Sequence, residues 1–157
     1  MPDYSSPNGR ETYRIIKEFA EPLFPGCRIF GANPDQDANE ATDLVILWRG
    51  QELGFARRIR SLAALEKYAH DYTIRAKCKW GPTEIDKIRS GYGYASLYGF
   101  GDETAIKRWT IYSLDKWRQH DLDGSLGEGK RVYNNDGTVG LAWDFRKTPD
   151  IILAKSW

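Results

Sequence analysis

Carboxylates that stand beside cations are the groups of this 157-residue sequence with the clearest potential for chemistry. Asp43 precedes the apolar run Leu-Val-Ile-Leu-Trp, so we expect it at the entrance of a buried strand, where a divalent cation or an arginine could neutralise it. Glu84 and Lys87 are three residues apart, a spacing that places two side chains on one face of a helix. The pattern predicts a polar site, and the alternative interpretation is ordinary ion pairing.

Basic residues are concentrated in the middle of the chain, around these carboxylates. Residues 49–92 carry ten basic and five acidic side chains, whereas residues 1–48 carry four and eight, and residues 93–157 carry nine of each. The cations that we expect to contact phosphate oxygens are Arg57, Arg58, Arg60, Arg75, Lys77 and Lys79. Alternation along a strand should direct Arg57 away from Arg58 and Arg60. The segment favours a nucleic acid partner, and the alternative is a solvated charged surface.

Hydrophobic periodicity predicts an α/β (α+β) domain with a mixed central β-sheet flanked by helices and a β-rich C-terminal part. Residues 10–23 show helical spacing that ends at Pro25-Gly26. Thr83 and Asp86 resemble a capping box and begin a second helix, and residues 115–120 form a third. The predicted strands are residues 27–30, 43–48, 53–59, 72–79, 94–100, 107–114, 131–133, 138–145 and 151–154.

The central strands decide whether the cations share a surface. Residues 43–48, 53–60 and 72–78 should be neighbouring strands of one sheet, with the helix that begins at Arg10 packed on it. Residues 72–79 alternate strictly, with Arg75, Lys77 and Lys79 on one face. We therefore expect a cationic sheet face. Trp80, Tyr92 and Tyr94 lie nearby in sequence and could stack on bases, although each ring is a candidate core residue as well.

Several familiar sites are missing from the sequence. It has no glycine-rich phosphate loop, no Gly-x-Ser-x-Gly and no dinucleotide fingerprint. His70 and His120 are isolated, which argues against a catalytic triad and against zinc. Cys27 and Cys78 are far apart and favour reduced thiols. The N-terminal residues lack an apolar run and no stretch is long enough for a membrane span, so we expect a cytoplasmic protein without a membrane partner.

The order of these elements resembles the core of the PD-(D/E)XK nuclease superfamily over roughly residues 10–100. The core has a helix, a short strand, a strand that begins with Asp, a hairpin return, a helix and another strand. The resemblance implies a restriction-endonuclease-like fold in which Asp43 and a Glu-x-Lys on the returning strand hold magnesium. Here that strand reads Gly-Phe-Ala-Arg-Arg-Ile-Arg, without a carboxylate and with Arg for Lys. Glu84 on the next helix could replace the missing carboxylate, as in some members.

Three hypotheses follow from these residues. In the first, the protein binds nucleic acid as a Mg²⁺-dependent endonuclease, with Asp43 and Glu84 as metal ligands and Lys87 or Arg58 at the scissile phosphate. In the second, it is a catalytically inactive, phage-type accessory or inhibitor protein that binds a host protein or nucleic acid. The segment Thr73-Ile-Arg with Thr-Glu-x-x-Lys also resembles uncharacterised phage and environmental proteins. In the third, it is an enzyme that acts on a small anionic substrate.

Overall fold

A computed structural model describes residues 6–34, 42–77 and 82–157 of the chain as a mixed α+β fold. The helices are α1 (Pro7–Leu23), α2 (Leu65–Tyr68), α3 (Glu84–Arg89) and α4 (Leu114–Asp123). The strands are β1 (Arg28–Gly31), β2 (Leu44–Trp48), β3 (Gln51–Ser61), β4 (Asp71–Lys77), β5 (Ala95–Gly101), β6 (Ile106–Ser113), β7 (Lys130–Tyr133), β8 (Val139–Asp144) and β9 (Ile152–Lys155).

Six of the strands form a mixed sheet in the order β1-β2-β3-β5-β6-β9. The β2–β3 hairpin turns at Arg49 and Gly50, which both have positive φ, as a two-residue turn of type I′ requires. Strand β3 continues past the hairpin and pairs in parallel with β5. A parallel pair needs a long crossover, and here the crossover contains α2, β4 and α3. The predicted mixed central sheet is therefore confirmed.

The prediction that β4 neighbours β3 is wrong. Strand β4 belongs to a second, three-stranded sheet with the order β4-β8-β7. Its partner β8 comes from the C-terminal part of the chain, so that Tyr72 lies opposite Trp143 and Ile74 lies opposite Leu141. The predicted apolar face is confirmed, because Tyr72 and Ile74 are fully buried in the core, but Thr73 on the predicted outer face is buried as well. The expectation of a solvent-facing cationic strand is therefore wrong for the residues of β4 whose side chains are described. The sequence pattern of a strand shows which face is apolar, but it does not show which strand is its partner.

Two apolar cores lie on opposite faces of the six-stranded sheet. On one face, α1 packs Ile15, Ile16 and Ala20 against residues such as Phe55 and Leu97. The other face is covered by α3, α4 and the second sheet, and its core contains Tyr72, Ile85, Tyr98, Tyr112, Leu114, Trp117, Trp143 and Phe145. Ala56 and Arg58 alternate with the α1-facing residues Phe55 and Arg57 of β3, so they point to the face of the sheet opposite α1. None of the described helices is long and apolar enough to cross a membrane.

Candidate functional site

Asp43 is held in place by main-chain hydrogen bonds at the start of β2. Its N–H donates to the carbonyl of Phe55 (2.8 Å), and its own carbonyl accepts from the N–H of Ala32 (3.0 Å). The side-chain Oδ2 accepts from the main-chain N–H of Arg57 at 2.8 Å. The residue is half-buried. Its carboxylate is therefore fixed between two strands, and it lies beside Ala56 and Arg58 on the face of the sheet opposite α1.

Glu84 approaches the same face from the first turn of α3. The predicted cap at Thr83 is confirmed, because Asp86 Oδ2 accepts from the Thr83 N–H (3.0 Å) and from its hydroxyl (2.9 Å). These bonds lower the pKa of Asp86. Ile85 and Ile88 anchor the helix in the core, where both are buried. A short helix that is fixed at its start and along one face leaves Glu84 little freedom of position.

The pKa of Glu84 shows which charges surround it. Burial raises this pKa above its ordinary value, and the negative charge of Asp43 raises it further. Arg58, Arg75 and Lys87 lower it, with Arg58 the strongest of the three, but they do not reverse the effect of burial. Residues 43, 58, 84 and 87 were predicted as one site, and the structure brings Asp43, Arg58 and Lys87 within electrostatic reach of Glu84. We call these four residues together with Arg75 the Glu84 cluster.

Two arginines of the Glu84 cluster contain buried donors without a hydrogen-bond partner in the described part of the chain. These atoms are Nε of Arg58, on β3, and Nε of Arg75, on β4. A buried donor that makes no hydrogen bond costs about 1–3 kcal/mol, so native structures contain few of them. Two guanidinium groups whose burial costs folding free energy therefore lie next to a carboxyl group. Arg75 reaches this place from the second sheet, not from a strand beside β3.

Arg57 and Arg60, two of the other predicted cations, contact residues outside the Glu84 cluster. Arg57 points to α1, as its place in the alternation predicts, where Nε donates to Thr12 Oγ1 (2.8 Å) and Nη2 donates to Asn8 Oδ1. Arg60 lies two residues beyond Arg58, and its guanidinium is 5.9 Å from the centre of the Tyr68 ring. The side chain of Lys77 and the whole of Lys79, Cys78 and Trp80 lie outside the described residues. Tyr92 is exposed, whereas Tyr94 packs on Phe55.

No family model and no curated protein sequence matches this chain. The assignment of the site therefore depends on its own geometry. Among the described residues, no group of three or more His, Cys, Asp or Glu side chains could hold a metal ion. The Glu84 cluster offers two carboxyl groups, Asp43 and Glu84, and three cations.

Two residues near the site were missed in the sequence. Tyr112 is fully buried in β6, and its pKa lies well above 10 because of burial first and the nearby charge of Glu84 second. Gly54 faces Thr42, since a Cβ atom added to the glycine would lie 2.5 Å from Thr42 Oγ1. A glycine inside a strand often marks such a close approach, so Gly54 offered a usable signal. Tyr112 offered none, because an apolar strand predicts only a core position for it.

Proposed function

We propose that this protein is a nuclease-like, nucleic-acid-binding protein that cleaves phosphodiester bonds with Mg²⁺. The observation that carries the proposal is the meeting of Asp43, Glu84 and Arg58 on one face of the sheet. Asp43 precedes β2, Arg58 lies on the returning strand β3, and Glu84 begins the helix that leads to β5. This order of elements supports the resemblance to the PD-(D/E)XK core.

Ala56 explains how Glu84 could serve as the second carboxylate. Ala56 lies between Phe55 and Arg57, whose main-chain groups both bond to Asp43, and it stands two residues before Arg58, the place of the missing strand carboxylate. The alanine is buried, with 3% of its surface exposed, and it has only a methyl group. A side chain from α3 can therefore approach Asp43 above it. In this proposal Glu84 takes over the role that a strand residue has in the resembling family.

The donor set of Asp43 and Glu84 suits magnesium. Mg²⁺ prefers oxygen ligands and commonly binds to one or two carboxylates while substrate phosphates and water complete its coordination. When bound, the ion would supply Lewis-acid stabilisation and lower the pKa of a water molecule. An arginine side chain is unsuited to act as a base, so the role of Arg58 is to neutralise charge on the phosphate. Arg75 and Lys87 add positive charge beside it and would hold the nucleic acid backbone.

Cleavage assays with matched variants test this proposal. Wild-type protein should nick or cut DNA or RNA with Mg²⁺ or Mn²⁺, and Asp43→Asn and Glu84→Gln should each abolish cleavage. Both variants should bind nucleic acid as well as the wild type or better, because they remove negative charge near a phosphate. Glu128→Gln changes an exposed carboxylate elsewhere and should cleave normally. Cleavage that survives in either cluster variant would contradict the assignment.

Binding to the backbone makes a separate prediction. Affinity for nucleic acid should fall steeply between low and moderate salt, because bound counterions are released. Arg75→Ala should weaken binding to different sequences alike and reduce the slope of log affinity against log salt by about 1. Lys116→Ala removes an exposed cation on α4 and serves as the control. An affinity that does not depend on salt would indicate a protein partner instead.

A second candidate function is a catalytically inactive accessory or inhibitor protein of the phage type. It is favoured by Ala56 and Arg58, which stand where the resembling nucleases carry a carboxylate and a lysine. The raised pKa of Glu84 supports it as well, since a protonated carboxyl group is a poor metal ligand. A purified wild type that binds nucleic acid or a host protein but cleaves with neither metal would favour this alternative.

A further inference from the structure

A cavity of about 250 Å³ lies where the end of β3 meets α2 and the second sheet. Arg60 lines it from β3, Tyr68 from α2, Asp71 from β4, and Lys130 and Arg131 from β7. None of these residues belongs to the Glu84 cluster. The volume is slightly below the 300–1,000 Å³ range of pockets for drug-sized ligands, so the cavity suits one small ligand and not a duplex.

The walls of this cavity carry an excess of positive charge. Three cations and one carboxylate line it, and within the described part of the chain none of the three cations forms an ion pair. Other arginines behave differently, since Arg89 pairs with Asp121 and Arg146 pairs with Asp144. Cations that are left unpaired around a concave surface attract an anion, and phosphate is a common one.

Tyr68 adds an aromatic surface to the cavity. Its side chain is exposed, with 38% of the residue surface accessible, although it lines a concave site. The Arg60 guanidinium is 5.9 Å from the ring centre, at the outer limit of a cation–π contact. A nucleobase that stacks on such a ring gains about 1–3 kcal/mol.

Asp71 provides an acceptor in the same cavity. It is half-buried, and burial first and the charge of Asp144 second raise its pKa. A carboxylate oxygen can accept a hydrogen bond from the exocyclic amino group of a base. The cavity therefore combines a stacking surface, a base acceptor and three phosphate-binding cations.

We infer that this cavity binds one unpaired nucleotide, with the base on Tyr68 and the phosphate at Arg60, Lys130 and Arg131. Arg60 is two residues from Arg58 on the same face of β3, roughly 7 Å along the strand. Arg58 of the Glu84 cluster and Arg60 of the cavity are therefore close enough to contact neighbouring nucleotides of one strand. The inference concerns binding alone and does not require the protein to cleave anything.

Isothermal titration with deoxyadenosine 5′-monophosphate at low salt tests the inference. Tyr68→Leu should weaken binding by about 5- to 150-fold, the equivalent of the stacking energy. Tyr68→Phe keeps the ring and should bind within about twofold of the wild type, while Lys130→Ala should bind more weakly. The controls are Tyr13→Leu, an exposed tyrosine on α1, and Lys116→Ala on α4, and both should bind normally.

Three results would overturn the inference. The first is that the folded wild-type protein does not bind the nucleotide, and the second is that the control variants weaken binding as much as the cavity variants do. The third is that inorganic phosphate binds as tightly as the nucleotide and that Tyr68→Leu has no effect. Asp43→Asn and Glu84→Gln should leave nucleotide affinity unchanged. A variant that loses cleavage but still binds the nucleotide therefore has a defect in the Glu84 cluster alone. A variant that loses nucleotide binding but still cleaves has a defect in the cavity alone. Circular dichroism of each variant shows that it is folded.

Discussion

Replacing Glu84 by Gln should stabilise the protein at neutral and alkaline pH but not at acidic pH. The pKa of Glu84 is raised by burial and by Asp43, despite the three cations around it. The folded state therefore holds this proton more tightly than the unfolded state does. The stability that this proton provides is fully present below the unfolded pKa, near 4.3, and is lost as the pH rises through the folded pKa. The amide of the substituted glutamine carries no charge at any pH, so the variant does not incur this loss.

The size of the effect follows from the pKa difference. Each unit of upward shift corresponds to about 1.4 kcal/mol of unfolding free energy at a pH above the folded pKa. For a chain of this length, each kcal/mol changes the melting temperature by about 2–4 °C. Glu84→Gln should therefore gain stability over the wild type between pH 4 and pH 8 and reach a plateau above the folded pKa of Glu84.

Urea unfolding of both proteins across this pH range provides the measurement. Glu128→Gln, at an exposed position, is the control and should follow the wild type at each pH. A difference between Glu84→Gln and wild type that stays constant with pH would refute the reasoning about burial. If the wild type instead becomes more stable than Glu84→Gln as the pH rises, the attraction of Arg58, Arg75 and Lys87 outweighs the cost of burial. The carboxyl group would then be a permanent ion-pair partner.

Three further changes have defined outcomes in chemical or thermal unfolding. Thr83→Ala should cost about 1 kcal/mol, because the start of α3 loses its cap, and should also weaken any activity that depends on Glu84. Phe145→Ala should cost about 3–5 kcal/mol, since the ring is buried and stacks on Tyr72 at 4.3 Å. Gly54→Ala should destabilise through its contact with Thr42, and the double variant with Thr42→Ala should lose less stability than the sum of the two single changes.

Local patterns predicted most of the secondary structure. The helix expected at residues 10–23 is α1, which begins three residues earlier at Pro7 with Ser6 as its cap. The hairpin of β2 and β3 follows from an apolar run, a turn and a second apolar run, all within 18 residues of sequence. Such elements depend on neighbours in the chain, so their spacing contains the information needed to place them.

Partners that are distant in sequence were not predictable in the same way. Residues 71–77 alternate clearly, but the alternation fits any sheet that offers an apolar face, and it gave no indication of β8. The candidate site shows the same division. Asp43 and Glu84 were recognised as carboxylates at the ends of elements, whereas the approach of Arg75 depends on the second sheet. Nothing in the sequence indicated that Tyr112 is a neighbour of the site, because an apolar strand predicts only that its residues lie in the core.

The pairing of β4 with β8 has a consequence for the order in which the chain folds. Asp71 lies opposite Asp144, 73 residues later, so β4 has no sheet partner until residues 139–144 have left the ribosome. Closing so long a loop also costs entropy that must be met before the new contacts form. The α1–β1–β2–β3 segment can assemble early, with Asp43 in place. Strand β4 contacts α3 within one short stretch of chain, but it gains its sheet partner only when β8 arrives, so a nascent or C-terminally truncated chain would carry Arg75 on an unpaired strand.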